Sequence, residues 1–422
     1  MISKIARYFA ARRVLSLDAA QSAAFQASKL RATVEHAYST VPYYRRLFDD
    51  AGIKPFDVRS PADLVHVPMS TKDDLLRAGT DELISRRFDH SDLFASSTSG
   101  STGTSFIVRR SLRDVQARKL YDIRSLVTLG YRPYERIAAY TAREPAAGSK
   151  PQKIIFPGKW VSAFDPPAKV LAELSDYDPD WLWCYPSSFR SLLNYTDGRL
   201  NDICTPRALV TGAEAPDRSI TDACKSLGID HFNFYGAVET GRIAWECRAH
   251  KGLHVVSDNV VLEIIPLAGQ HGDDSMITGE TVITTLNNEA MPFIRYRLGD
   301  MSRFLDEPCP CGVTMPLIAP PEGRTVDVIR LSSGRLVTAR GFVALVRQVT
   351  GVLQLQVTQA SPQQIDVQLV VNDSFSTESL ESLRLQLLEY LREPMDIDFE
   401  NVDSIAATGQ KHRDFVSQVV TQ

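Results

Sequence analysis

The chain has no apolar run approaching the length of a membrane span. It has no strong charge of either sign: 47 Lys and Arg against 51 Asp and Glu leave a formal net charge of -4. That balance removes any global attraction to nucleic acid, and the basic residues are scattered rather than clustered. Six cysteines in 422 residues are too few and too dispersed for a disulfide framework. Internal repeats and long low-complexity tracts are missing. At the N-terminus, Arg12 and Arg13 interrupt the apolar stretch before a signal-peptide core forms, so a cytoplasmic protein is expected. With 44% hydrophobic and 23% charged residues, the composition is that of a globular protein with a large core and two or more domains.

What is present begins with Ser97 to Ser105, which read Ser-Thr-Ser-Gly-Ser-Thr-Gly-Thr-Ser. Two glycines let the backbone bend where a Cβ would clash, so N–H groups and hydroxyls can converge on anionic oxygens. The loop lacks the Gly-Lys-Ser/Thr ending of a Walker motif. An apolar strand pattern, Phe106-Ile107-Val108, follows it.

Upstream, residues 1 to about 90 read as mainly helical, with candidates at Ala19 to Tyr38, a short helix from Pro42, and Asp73 to Leu83. Downstream, short β-prone runs at Ile137–Tyr140, Leu182–Tyr185, Ala208–Thr211 and His231–Tyr235 alternate with helical patterns. Val260–Ile265 and Thr281–Leu286 read as an accessory β-region. The Pro/Gly-rich segment Pro308 to Gly323 marks a boundary, after which the pattern resets. Strands are expected at Val326–Leu331, Leu353–Thr358, Gln364–Val371 and Met395–Phe399, with helices at Gly341–Thr350 and Thr377–Arg392. About 100 residues of this kind fit a small α+β domain with a split βαβ layout. The expected class is therefore α/β, with an N-terminal domain over 1–323 and a C-terminal α+β domain over 324–422.

Five further motifs follow the loop in order: Thr211-Gly212-Ala213-Glu214, Asn233-Phe234-Tyr235-Gly236-Ala237-Val238-Glu239, Tyr296-Arg297-Leu298-Gly299-Asp300, Gly323-Arg324 and Gly409-Gln410-Lys411-His412-Arg413. Each alone is ordinary loop punctuation. Their order resembles the adenylate-forming superfamily of acyl- and aryl-CoA ligases, and within it the phenylacetate–CoA ligase branch with its capsule-biosynthesis relatives. The resemblance covers nearly the whole chain, including Val41-Pro42-Tyr43-Tyr44-Arg45-Arg46 and Pro68-Met69-Ser70-Thr71-Lys72 near its start.

That resemblance implies an ATP-dependent, carboxylate-activating enzyme. Thr98, Ser99, Gly100, Ser101, Thr102, Gly103 and Thr104 would hold the ATP phosphates. Tyr235 and Gly236 would lie against the adenine, with Gly212, Ala213, Glu214 and Asn233 around its edge. Glu239 would bind Mg²⁺, a hard cation that takes oxygen ligands. Asp300 would accept both ribose hydroxyls, and Arg324 would reach the nucleotide from the boundary. Lys411 is the candidate catalytic lysine, placed to meet charge developing between the carboxylate and the α-phosphate. Tyr140, Tyr185 and Ala237 are acyl-pocket candidates, beside the aromatic run Trp181-Leu182-Trp183-Cys184-Tyr185.

Three departures from the family pattern stand out. Gln410 separates Gly409 from Lys411, Thr104-Ser105 stands where many relatives have Lys-Pro, and Val326 occupies the usual hinge-acid position with Asp327 next. The expected reaction is activation of the carboxylate followed by transfer of the acyl group to CoA; the departures keep two alternatives open, transfer to an amine and a non-catalytic nucleotide-binding relative. A homodimer is also left open.

Cys247, His254 and the turn Cys309-Pro310-Cys311-Gly312 offer three thiolates and an imidazole, the donor set of a closed structural zinc site. His250 is the rival to His254, and relatives of the branch carry a similar set. Cys184, Cys204 and Cys224 read as buried small apolar residues with no base nearby in sequence, which speaks against thiol catalysis.

Overall fold

Capping and proline chemistry set the N-terminal helices of the computed structural model. It describes residues 8–9, 12–97, 106–142, 157–214, 216–266, 278–321, 323–324, 328–405 and 414–419. Helix α1 (Ala19–Thr40) starts at Asp18, whose carboxylate accepts from Gln21 N at 2.8 Å while the Gln21 side chain accepts from Asp18 N. It stops at Val41, held extended by the proline that follows, and Pro42 opens α2 (Pro42–Asp50) from its first position. The single helix expected over Asp73–Leu83 is two: α3 (Lys72–Ala78) and α4 (Thr80–Leu83). Gly79, at φ +82°, breaks the path between them.

Strands β1 (Phe94–Ser97) and β2 (Ile107–Arg110) pair antiparallel, with Ser97 opposite Ile107. The hydroxyl-rich segment Thr98–Ser105 joins them and lies outside the described residues. Helix α5 (Leu112–Thr128) follows, capped by Ser111 and Asp114.

The largest sheet uses β3 (Ile137–Thr141), β4 (Gly158–Ser162), β5 (Trp181–Cys184), β6 (Ala208–Gly212), β7 (Asp230–Ala237), β8 (Gly241–Glu246) and β9 (Leu253–Val255). From β4 through β3, β5 and β6 to β7 the neighbours run parallel. Helices α6 (Pro167–Tyr177), α7 (Pro186–Tyr195) and α8 (Arg218–Leu227) make the crossovers. Strands covered on both faces need apolar residues at successive positions, which is why β6 reads Ala-Leu-Val-Thr-Gly and is buried throughout. Beyond β7 the sheet turns antiparallel through β8 and β9. A second, four-stranded sheet has the order β10 (Val260–Pro266), β11 (Gly279–Thr285), β12 (Tyr296–Ser302) and, after two short strands, β15 (Gly323–Arg324). The short strands, β13 (Phe304–Leu305) and β14 (Leu317–Ile318), extend the large sheet from β9.

The accessory β-region is thus real and larger than expected, since β12 carries the Tyr296–Asp300 motif. Beyond β15, a ribbon of β16 (Val328–Arg330) and β17 (Leu336–Thr338) leads to α9 (Ala339–Arg347). Strands β18 (Val352–Ser361) and β19 (Gln364–Val371), helix α10 (Glu378–Leu391), β20 (Asp396–Asn401) and β21 (Phe415–Ser417) complete the chain. The last sheet is antiparallel at its centre and parallel at both edges: β21 lies beside β18 and β20 beside β19. Its parallel strands are thus direct neighbours, and the split βαβ layout expected from sequence, which needs a strand between them, is not formed. Its apolar cluster, from Ile329 and Phe342 to Ile397 and Phe415, draws only on residues after 328. No described helix is long and apolar enough to cross a membrane.

Candidate active site and metal centre

The carboxyl end of β7 meets the four-stranded sheet at its inner strands β11 and β12, and the sequence motifs converge there. Gly212 ends β6 close to β7: a Cβ at this position would lie 2.9 Å from the Phe234 carbonyl oxygen. Ala213 follows in the left-handed region at φ +64°, an uncommon conformation for a residue with a Cβ. The turn aims Glu214 at the first turn of α7, where its carboxylate accepts from Ser187 N at 3.1 Å and Ser187 Oγ at 3.0 Å. Glu214 thus satisfies donors at a helix start, a role invisible in its motif.

On β7, Asn233 is buried and its N–H donates to Glu246 on β8 at 2.8 Å. Tyr235 lies two residues on, 8% exposed, and its hydroxyl donates to Asp300 Oδ2 at 2.8 Å. Thr281 braces this contact, its Oγ1 sitting 3.2 Å from the Tyr235 hydroxyl and donating to the Asp300 carbonyl at 3.1 Å. Asp300 stands opposite Arg324 in the β12–β15 register. Gly236 is tightly packed, since a Cβ there would reach 2.5 Å from the Gly241 carbonyl. Ala237 closes β7, and Glu239 is buried in the turn before β8, where Tyr296 donates to its Oε1 at 3.2 Å. The structure therefore gathers Gly212, Ala213, Asn233, Tyr235, Gly236, Ala237, Glu239, Asp300 and the Arg324 backbone at the junction of two sheets.

Thr98, Ser99, Gly100, Ser101, Thr102, Gly103, Thr104 and Lys411 lie outside the described residues. Of the acyl-pocket candidates, Tyr140 is buried among Ala138, Leu182 and Cys184, and burial raises its hydroxyl pKa. Tyr185 accepts from Ala142 N at 3.3 Å through its hydroxyl. Thr281 and Asn288 support the site although sequence reasoning gave them no part, and Tyr296 does so too, having opened a motif without a role of its own. Their signal was spatial, for they touch Glu239, Tyr235 and Asp300 from other segments.

Separately, Cys247, His254, Cys309 and Cys311 bring four ligand atoms within 4.8 Å of one another. Cys247 and Cys309 sulfurs are 3.4 Å apart, too far for a disulfide bond. Cys311 Sγ lies 3.2 Å from His254 Nε2. His254 Nδ1 faces the Met315 carbonyl at 3.2 Å, which fixes the tautomer with Nε2 as acceptor. Burial lowers the His254 pKa and favours the neutral, ligating imidazole. Together these features fit a tetrahedral zinc ion. His250 is elsewhere: its Nδ1 contacts Glu246 at 2.9 Å and its ring stacks on Phe232. The other three cysteines are buried, and desolvation pushes Cys204 up to about 11 and Cys224 up to about 12.

No family model matches the chain. Among curated proteins it is 30% identical over 310 residues to a phenylacetate–coenzyme A ligase of Escherichia coli, covering 67% of each chain. To a phenylacetate–coenzyme A ligase of Thermus thermophilus it is 28% identical over 332 residues, covering 72% of this chain and 71% of the relative. Among solved structures, 2-hydroxyisobutyryl-CoA ligase in a postadenylation complex matches with TM-score 0.79 at 18% identity, over 96% of this chain and 91% of the other. Anthranilate CoA ligase bound to anthranoyl-AMP gives 0.56 at 15% identity, over 80% and 68%. Those two structural matches establish a shared fold.

Proposed function

The chain belongs to the phenylacetate–coenzyme A ligase family of adenylate-forming enzymes, and from that premise we propose that it activates a carboxylic acid with ATP and passes the acyl group to coenzyme A. The observation that carries this reading is the 2.8 Å contact between Tyr235 and Asp300, which sets a candidate adenine platform beside a candidate ribose acceptor. In the first half-reaction a carboxylate oxygen attacks the α-phosphorus, the bond to pyrophosphate breaks, and acyl-AMP forms. In the second, the CoA sulfur attacks the acyl carbon, AMP departs with the bonding electrons, and the thiol proton passes to solvent or a base.

Tyr235 presents its ring to the base and Asp300 accepts the ribose hydroxyls, two tasks that mainly position the nucleotide. Glu239 would hold Mg²⁺ through a carboxylate already oriented by Tyr296. When bound, that ion neutralises phosphate charge. The hydroxyls and N–H groups of Thr98–Thr104 would bind the phosphates, and Lys411 would bridge carboxylate and α-phosphate. Tyr140, Tyr185 and Ala237 would border the acyl group.

We also assign residues 1–323 to an ATP- and acyl-binding domain and 324–422 to a C-terminal α+β domain that moves between the half-reactions. The separate apolar cluster after residue 328 supports that division. Cys247, His254, Cys309 and Cys311 would hold a structural zinc ion, for four protein ligands leave no open position.

Incubation with ATP, Mg²⁺ and a panel of aryl, fatty and amino acids, read by mass spectrometry, tests the activity. An acyl-AMP mass that becomes a thioester on adding CoA supports the proposal. An acyl-AMP that reacts only with added amines would refute the second half, and absence of any adenylate across the panel would refute the whole.

A further inference from the structure

Three successive carbonyls around Glu239 are each held by a side chain from a distant segment. The Val238 carbonyl accepts from Arg110 of β2 and from Arg118 of α5, the latter at 3.3 Å. Asn288 Nδ2 donates to the Glu239 carbonyl at 2.7 Å. Asn259 Nδ2 donates to the Thr240 carbonyl at 3.3 Å and to that of Arg242 at 2.7 Å. Gly241 makes room for this arrangement, as a Cβ there would fall 2.9 Å from Arg118 Cγ.

Helix α5 controls both sides of the turn. While Arg118 reaches Val238, Asp114 on the same helix accepts from Glu289 N at 2.8 Å and Ala290 N at 3.2 Å, fixing the segment that carries Asn288. Arg110 is buried, and its strand leads directly away from the hydroxyl-rich segment. Arginine bonds to a carbonyl are charge-assisted, and side chains locked by packing hold a functional group more tightly than a loop does alone.

We propose that Arg118 and Asn288 are positioning residues that clamp the Val238–Thr240 turn and set the Glu239 carboxylate for Mg²⁺, with Arg110 coupling that turn to the strand leaving the phosphate segment. This rests on the adenylate-forming reading above. Neither residue acts on the nucleotide directly; each acts through Glu239.

The test is calorimetric ATP binding in EDTA and in saturating Mg²⁺, with the Mg²⁺ requirement of ATP–pyrophosphate exchange as a second readout. R118A and N288A are expected to lose at least fivefold of the affinity that Mg²⁺ adds, while binding in EDTA stays within twofold of the parent. R118K should recover most of that loss, and N288D, nearly isosteric with no amide donor, should behave as N288A and serves if the alanine variant does not fold. A parent-like Mg²⁺ gain in folded R118A and N288A overturns the clamp, as does an equal loss in EDTA. If the parent exchanges pyrophosphate while these variants keep its Mg²⁺ gain, only the clamp fails. If the parent binds no nucleotide, both readings fail.

Discussion

The hydroxyl of Tyr235 lies 2.8 Å from Asp300 Oδ2, tying the end of β7 in the large sheet to β12 in the four-stranded one. The two residues are 65 positions apart, and each belongs to a motif of little individual weight. A hydrogen bond to a charged group contributes about 1.5–3 kcal/mol. Removing only the hydroxyl, as Y235F, should therefore weaken ATP binding by roughly tenfold, because each 1.4 kcal/mol is a factor of ten. D300A removes the tether and the proposed ribose acceptor together and should weaken binding further, by about a hundredfold or more on the same scale. Titration calorimetry reads both, and equal affinities for parent and D300A would contradict the assignment of Asp300.

The cysteine–histidine cluster predicts one zinc ion per chain, released by C309S or C311S. Inductively coupled plasma mass spectrometry of the purified protein gives the stoichiometry. Loss of the ion should lower the melting temperature, because the site joins the turn at 309–312 to strands β8 and β9, and structural zinc contributes folding energy. A metal-free parent with the same melting temperature as C309S would contradict a structural zinc.

Arg124 and Asp258 form a two-pronged ion pair with both N–O distances 2.8 Å, and side-chain exposures of 1% and 3%. Lys29 donates to the Asp258 carbonyl at 3.0 Å beside it. Burying one charge without its partner is costly, so D258A should destabilise the protein by about 3–5 kcal/mol. Urea denaturation measures this, and a change below about 1 kcal/mol would mean that the guanidinium finds another partner.

His231 is held near Thr211, with Nε2 2.8 Å from its hydroxyl, and burial lowers the imidazole pKa to about 4. Its pKa in the unfolded chain is near 6.5. Between those values the unfolded state binds more protons, so stability is retained above about pH 6.5 and declines as the pH falls towards 4. Melting temperatures from pH 7 to pH 4 should fall, and H231Q should flatten that fall. An unchanged slope in H231Q would exclude the histidine as its source.

Chemistry confined to one segment was legible in the sequence. The ordered motifs ending in Glu214, Glu239, Asp300 and Arg324 disclosed the family, because each keeps its residues within a few positions. Alternation of apolar runs and helical patterns disclosed the α/β class and the order of strands and helices after residue 328, but not how those last strands pair. Contacts across the chain were not legible. Nothing near Glu214 in sequence announces that Ser187 occupies its carboxylate, and nothing near Val238 announces two arginines more than a hundred positions away. Local propensity also hid Gly79 as a helix break, since helix formers on both sides outweighed one residue. Cys247 and His254 already pointed at one another, but only the pairing of β8 with β9 and of β9 with β14 brings them to the turn holding Cys309 and Cys311.

Carboxylate-dependent exchange of labelled pyrophosphate into ATP is the most direct measurement of the central claim, because it reads reversible acyl-adenylate formation without requiring an acceptor. We expect exchange with at least one acid of the panel, dependent on Mg²⁺ and reduced at least a hundredfold in D300A. Parent protein that binds ATP yet shows no acid-dependent exchange with any acid, or D300A that exchanges as fast as the parent, would contradict it.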